Sequence, residues 1–310
     1  MKTQTQIPAA NRASGDTEAR AALAGPTKLA RTADALPPHV WFCVSAVFHY
    51  LGPAFAVLLF AQVGVLGMAW LRIATAALIF APLTMPWRVF ARADRGRRLL
   101  LLAFGACLAV MNCSFYLALD RLPISLVAAS EFVGTIAVAL VGLRSRRNFA
   151  ALAVAVVGIL LLIDVKWSSD PIGLFWAFLN GALFVGYIMI GHRVAQAGFG
   201  IAGLGAAMAV AFLIVLPIGF RQALPAFSSP QLLAAAIGVG VCSSVIPYIC
   251  DQLAMARLPR ASFALMLSLL PLTATLIGVI VLRQVPGGTD CLGVTLVIAG
   301  VAMHKPAANT

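Results

Sequence analysis

Charge is what this sequence has least of. Only 10% of its 310 residues are Asp, Glu, Lys or Arg, and 62% are hydrophobic, with a mean hydropathy of +0.98. A soluble domain carries about 25% charged residues. No soluble core buries so large an apolar fraction, which excludes an ordinary cytosolic enzyme, a disordered chain and a secreted disulfide scaffold. Cysteine pairing is also missing. Cys43, Cys107, Cys113, Cys242, Cys250 and Cys291 form no CxxC pair, so they read as buried free thiols rather than a metal or disulfide framework. The chain has no Walker A sequence, no HExxH and no convincing Ser/His/Asp arrangement. The expectation is therefore a non-enzyme that binds no metal or cofactor and is not driven directly by ATP. No secretory signal is read either, because a polar tail over 1–39 precedes the first apolar run and is too long for an n-region. That tail reads as disordered and cytoplasmic. Its Asp16, Glu18 and Asp34 argue against an organellar transit peptide.

What is present is a series of long apolar runs. A bilayer core takes about 20 apolar residues as helix. Ten such runs lie near 40–60, 65–85, 99–119, 124–143, 149–165, 172–190, 201–220, 232–253, 261–282 and 289–304. Lipid offers backbone groups no partner, so each run reads as a helix. The expected fold is an all-α integral membrane protein of ten transmembrane helices joined by short connections.

The net charge of +12 would suggest nucleic acid in a soluble protein, but here the position of each charge matters more. With the N-terminus inside, 17 of the 22 basic residues fall on the cytoplasmic side and 4 outside. Arg72 lies within a span. This split predicts ten spans with both termini, including the tail 305–310, in the cytoplasm. Nucleic acid drops out as a partner.

Arg121-Leu122-Pro123 returns 136 residues later as Arg257-Leu258-Pro259, each time between one run and the next. The chain thus divides into five-helix units at 40–165 and 172–304. Five is odd, so the second unit enters the membrane from the opposite side. Such an inverted repeat is a transporter feature, because two similar halves can expose a central site to each side in turn.

An ionised residue at mid-bilayer costs about 2.5–3.5 kcal/mol and needs a partner, water or a function. Arg72 and Glu131 each lie about seven residues into runs of the same direction, so they reach similar depth. Two readings stay open. The two form a structural pair, or Glu131 carries a proton beside Arg72, since burial and a nearby arginine act on a carboxyl in opposite senses. Asp251 near one end of the eighth run and His49 near the middle of the first are further proton-coupling candidates; His49 also reads as a hydrogen-bonded packing residue. Asp164, at the outer end of the fifth run, reads as touching water. Asn112 and Tyr116 stand four apart, as do Glu131 and Thr135, beside Ser130. Ser244, Tyr248, Asp251 and Gln252 share one face, and Asn180 and Tyr187 another. Together they suggest a polar cavity able to hold a zwitterion, although interhelical hydrogen bonding explains any one of them. Pro53, Pro217, Pro247 and Pro271 are candidate helix breaks at that cavity. Gly203 and Ala207, four apart, permit close helix contact.

The ten spans and two halves, with Trp70-Leu71-Arg72-Ile73, the stretch from Met111 to Tyr116, the stretch from Ser130 to Gly134, and Pro247-Tyr248 through Pro259, resemble the EamA family of the drug/metabolite transporter superfamily over about 40–303. The resemblance implies a bacterial inner-membrane exporter of small amino acids such as threonine and homoserine, or related metabolites, driven by proton antiport. It carries over Arg72, Asn112, Tyr116 and Glu131 as site residues, and Asp251 matches a position where the family's amino-acid exporters have a carboxylate. Leu270-Pro271 stands where the family commonly has Glu-Pro, Gln284 where a Glu is expected, and Thr135 where a proline is expected. The implied partners are a small-molecule substrate, the lipid bilayer and protons; a homodimer is left open. Two rivals remain: an exporter of drugs, amino-acid analogues or a secondary metabolite giving self-resistance, and, more distantly, a membrane enzyme or sensor.

Overall fold

The computed structural model describes residues 37–131, 146–164, 170–255 and 270–303. Thr135 and the second Arg-Leu-Pro turn lie outside these residues. In chain order the helices are α1 (Pro38–Val63), α2 (Val65–Thr84), α3 (Pro86–Arg92), α4 (Arg95–Leu119) and α5, which opens at 124 and is described to 131. There follow α6 (Arg146–Asp164), α7 (Pro171–Gln196), α8 (Gly200–Ser228), α9 (Pro230–Gly240), a π-turn (Val241–Val245), α10 (Ile246–Met255), α11 (Leu270–Leu282) and α12 (Gly288–Met303). Among the described residues there is no strand. Six stretches are long and apolar enough to cross a membrane: 39–63, 65–84, 95–119, 171–191, 201–228 and 230–251. The other four expected runs hold helix over their described parts.

Local chemistry sets the helix ends. Proline, whose missing N–H costs nothing in a first turn, opens α1, α3, α7 and α9. The Asp94 carboxylate caps α4 by accepting from Arg97 N–H at 2.8 Å. Ser229 caps α9 through Leu232 N–H. The turn between α1 and α2 is one residue, Gly64, at φ 76°, where a side chain would be strained and would also meet Gln222. The short helix α3 lies in a stretch that the sequence suggests is only a connection. Pro53 and Pro217 sit inside α1 and α8 without ending them, contrary to the expected breaks.

Packing joins the first half of the chain to the second. α2 lies on α8, α4 on α7 and α8, α1 on α10 and α11, and α6 on α12. In lipid no hydrophobic drive favours one helix contact over another, so close approach by small residues matters. Ala54, Ala69, Ala76, Ala206, Ala207 and Ala211 are wholly buried. A Cβ on Gly105 of α4 would fall 2.5 Å from Val210 and 2.7 Å from the Ala207 carbonyl of α8. Outward, Leu78, Leu83, Leu99 and Ile280 are largely exposed, as lipid-facing side chains are.

One end of the bundle is tied by three links between the halves. Gln222 Oε1 of α8 accepts from Leu66 and Gly67 N–H at the start of α2 (3.1 and 3.3 Å). Gln284 Oε1 accepts from Ile124 N–H at the start of α5 (3.3 Å). Both glutamines satisfy N–H groups that a helix start leaves open. The third link is an ion pair, Arg121 Nη1 to Asp170 at 3.0 Å. Asp170 also accepts from Gly173 N–H at 2.8 Å, and that bond, with Arg121 beside it, holds its carboxyl below the ordinary range.

Two outcomes follow from this packing. Gly105→Leu overpacks the α4–α8 contact and lowers the thermal unfolding temperature in detergent, by about 1–3 kcal/mol of stability. Gly238→Ala, with nothing within 4 Å of its Cβ, leaves that temperature unchanged or slightly raised. Since the Asp170 pKa is depressed on folding, its contribution is present above the ordinary aspartate value and is lost as pH falls through the lower folded value. Unfolding temperatures of the wild type and Asp170→Asn therefore differ by a constant amount at neutral pH and converge only in strong acid.

Candidate functional site

The site begins with a backbone defect. Pro247 has no N–H, so it cannot bond the Ser243 carbonyl four residues earlier. The chain there takes the π-turn Val241–Val245, with Ile246 N–H on the Val241 carbonyl. Arg72 of α2 fills the gap: its Nη2 donates to the Ser243 carbonyl at 2.9 Å and its Nε to Ser244 Oγ at 2.8 Å. The guanidinium lies over the rings of Tyr116 (5.5 Å) and Phe115 (5.9 Å) of α4. Arg72 is 4% exposed, so these contacts replace its hydration. The Ser243 hydroxyl donates to the Val239 carbonyl.

Glu131 is the second centre. Its Oε1 accepts from Asn180 Nδ2 of α7 at 2.8 Å and its Oε2 from the Tyr50 hydroxyl of α1 at 3.3 Å. All three side chains are buried. Arg72 and Glu131 act on each other through charge, but no direct ion pair joins them. The ion pairs among the described residues are Arg97–Asp94 and Arg121–Asp170. Of the two readings the sequence leaves open, the structural pair has no direct ion pair behind it. Similar depth does not bring two side chains together when Arg72 is turned to Ser243 and Ser244 and Glu131 to Asn180 and Tyr50.

The other expected residues divide by what they touch. Tyr248 lies against Asn112, whose Nδ2 donates to the Leu108 carbonyl of its own helix at 2.8 Å. Tyr187 stacks with Phe104, Phe184 and Tyr248 at 5.6–6.1 Å between ring centres. His49 packs edge-on against Tyr50 (5.1 Å). The Ser130 hydroxyl is shared between the carbonyls of Val127 (2.7 Å) and Ala177 (3.1 Å), which joins α5 to α7. Asp251 of α10 accepts from Ser45 Oγ of α1 at 2.5 Å, and its charge reaches Tyr187 and Tyr248. Tyr50 and Ser45 are partners that sequence reasoning missed. The chain has only four tyrosines, Tyr50, Tyr116, Tyr187 and Tyr248, and all four meet in this cluster. Their scarcity was a usable signal. Among the described residues no three His, Cys, Asp or Glu side chains are grouped to hold a metal.

The buried cluster can now be set beside known proteins. The model of the EamA-like transporter family matches residues 171–304. Threonine/homoserine exporter RhtA of Salmonella typhimurium (strain SL1344) is 34% identical over 251 residues, covering 80% of this chain and 84% of that protein. The exporter of the same name from Escherichia coli (strain K12) is 33% identical over the same shares. A crystal structure of a protein 17% identical superposes with a TM-score of 0.50, covering 86% of this chain and 96% of that one. That likeness concerns the fold alone.

Removing the Glu131 acceptor leaves Asn180 Nδ2 and the Tyr50 hydroxyl bare, at about 1–3 kcal/mol for each buried group. Glu131→Leu therefore lowers the unfolding temperature of the purified protein markedly. Glu131→Gln, which keeps an acceptor oxygen, lowers it less. Equal losses in the two variants would contradict this account of the site.

Proposed function

This chain belongs to the EamA-like transporter family, and from that membership we propose that it exports small amino acids of the threonine/homoserine type across a bacterial inner membrane, by alternating access coupled to proton antiport. One observation carries the reading. Among the described residues, the buried charged groups of the first half each reach a partner on the second half: Arg72 reaches Ser243 and Ser244, and Glu131 reaches Asn180 while also accepting from Tyr50 of α1. Any movement of one half against the other must break or exchange these bonds. Access to the centre and the state of its charges therefore change together.

The halves are inverted five-helix units. The helix pairings support this, since they are the ones a two-fold relation requires. The second span of each unit pairs with the other (α2 with α8), as does the fifth (α6 with α12). The first span of each packs on the third of the other, α1 on α10 and α7 on α4. With the N-terminus inside, the end closed by Arg121–Asp170, Gln222 and Gln284 faces outward, and Ser45–Asp251 lies toward the cytoplasm. Outward opening separates the three outer links. Glu131 takes up a proton when the centre faces outward and gives it up inward, while Arg72 sets its charge balance and receives the substrate carboxylate. Asn112, Tyr116 and Tyr248 line the same centre.

Proteoliposomes loaded with threonine or homoserine test this. An imposed pH gradient accelerates wild-type flux, and Glu131→Gln removes the gradient-driven component while leaving passive exchange. No gradient-stimulated flux in the wild type, or full stimulation in Glu131→Gln, overturns proton carriage by this residue.

A further inference from the structure

The export reading leaves the arginines between α2 and α4 without a task. Arg88, Arg92, Arg95, Arg97 and Arg98 are five of the chain's 22 basic residues, set in one short stretch. A bias of charge toward one side of the membrane explains their number, but not the way the stretch folds. Met85, at φ 46°, turns the chain out of α2, and Pro86 opens α3. α3 packs on α8. Arg98 of α4 ties it down, its Nε donating to the carbonyls of Phe90 and Ala93 at 3.0 and 2.8 Å. A short helix is thus fixed to the surface of the bundle.

Its two faces differ. Pro86, within α3, and Ala93, just past its end, are buried, while Trp87, Arg88, Ala91 and Arg92, at i, i+1, i+4 and i+5, are exposed. On α4, Arg95 and Leu99 stand four apart and are both exposed. Leu83, at the end of α2, is 72% exposed, Trp87 60% and Leu99 68%. Leucines that suit lipid therefore stand on either side of the arginines in the chain. An exposed tryptophan among arginines suits the level where hydrocarbon gives way to headgroups.

The charges on this face are not neutralised from within. Asp94 is the one acidic residue between 35 and 119, and it caps α4 and pairs with Arg97 at 3.4 Å. Arg97 also lies over the Phe199 ring. Arg98 is spent on α3. The side chains of Arg88, Arg92 and Arg95 are engaged by no described group. The N-terminal tail does not complement them, because its Lys2, Arg12, Arg20, Lys28 and Arg31 outnumber Asp16, Glu18 and Asp34.

We propose that α3 and the first turn of α4 form a binding surface for the headgroups of anionic phospholipids, with Arg88, Arg92 and Arg95 on the phosphates and Leu83, Trp87 and Leu99 against the acyl chains. Guanidinium groups match phosphate oxygens in pairs of hydrogen bonds. The apolar residues on either side favour a phosphate that carries acyl chains over a free one. The surface concerns how the bundle sits in the membrane and holds whatever the chain transports.

Native mass spectrometry of the full chain in non-ionic detergent tests this, with phosphatidylglycerol and phosphatidylcholine of the same acyl chains offered in equal amounts. Each basic residue near an anionic surface strengthens association about fivefold, so the wild type retains phosphatidylglycerol at least about tenfold more than phosphatidylcholine. Higher salt weakens that preference. Arg88→Gln/Arg92→Gln/Arg95→Gln abolishes it while leaving the unfolding temperature in lipid-free detergent unchanged. Arg12→Gln/Arg20→Gln/Arg31→Gln, which removes as many charges from the tail, keeps it. Equal retention of the two lipids by the wild type, an undiminished preference in the first variant, or equal loss in both variants overturns the proposal. Displacement of the lipid by millimolar glycerol 3-phosphate does so too, since it marks a site for free phosphates.

Discussion

Arg72 is held by a carbonyl that Pro247 cannot bond, and the rest of the central cluster depends on that contact. In a helix crossing lipid, a missing N–H leaves a carbonyl with no water to turn to. The chain answers with a π-turn over Val241–Val245 and a guanidinium brought in from another helix. Once Arg72 is fixed on Ser243 and Ser244, its charge lies above the rings of Phe115 and Tyr116 and acts on Glu131 from a set direction. A proline in the second half thereby positions a cation of the first.

The same constraint governs the other polar side chains. Each reaches a partner on a neighbouring helix or turns back onto its own. Glu131 joins α5 to α1 and α7, Ser130 joins α5 to α7, and Ser45 joins α1 to Asp251 of α10, while Asn112 bonds within α4. Gln222 and Gln284 apply the rule at the bundle end, where the first N–H groups of α2 and α5 would otherwise be open. Apolar surface alone does not choose between helix neighbours in lipid, so these bonds, and the close approach at glycines such as Gly105, specify the arrangement.

Because most of these bonds run from one half of the chain to the other, the contacts that stabilise the interface are also those that the proposed alternating-access cycle would exchange. A site placed within one half would be carried along unchanged when the halves rock. Arg72 and Glu131, each anchored across the interface, would feel such a movement directly.

Hydropathy read along the chain locates the helical runs, and the rarity of embedded charge singles out Arg72 and Glu131. Asn112, Tyr116, Asn180, Ser244 and Tyr248 were legible for the same reason, as polar residues in runs that exclude them. The partners were not legible. Tyr50 and Ser45 look like ordinary span residues until Glu131 and Asp251 are seen against them. Equal depth made an Arg72–Glu131 pair one possible reading, and the structure forms no direct ion pair between the two. Pro53, Pro217 and Pro247 look alike in sequence, yet only at Pro247 does a π-turn stand beside the proline with the freed carbonyl bound from another helix. The sequence by itself determined which segments are apolar helices and which residues are too polar to face lipid, since both follow from composition along a run. Only the tertiary structure decided which polar groups meet, because that depends on how each helix is rotated about its axis and against which neighbour, and packing between helices distant in the chain sets that rotation.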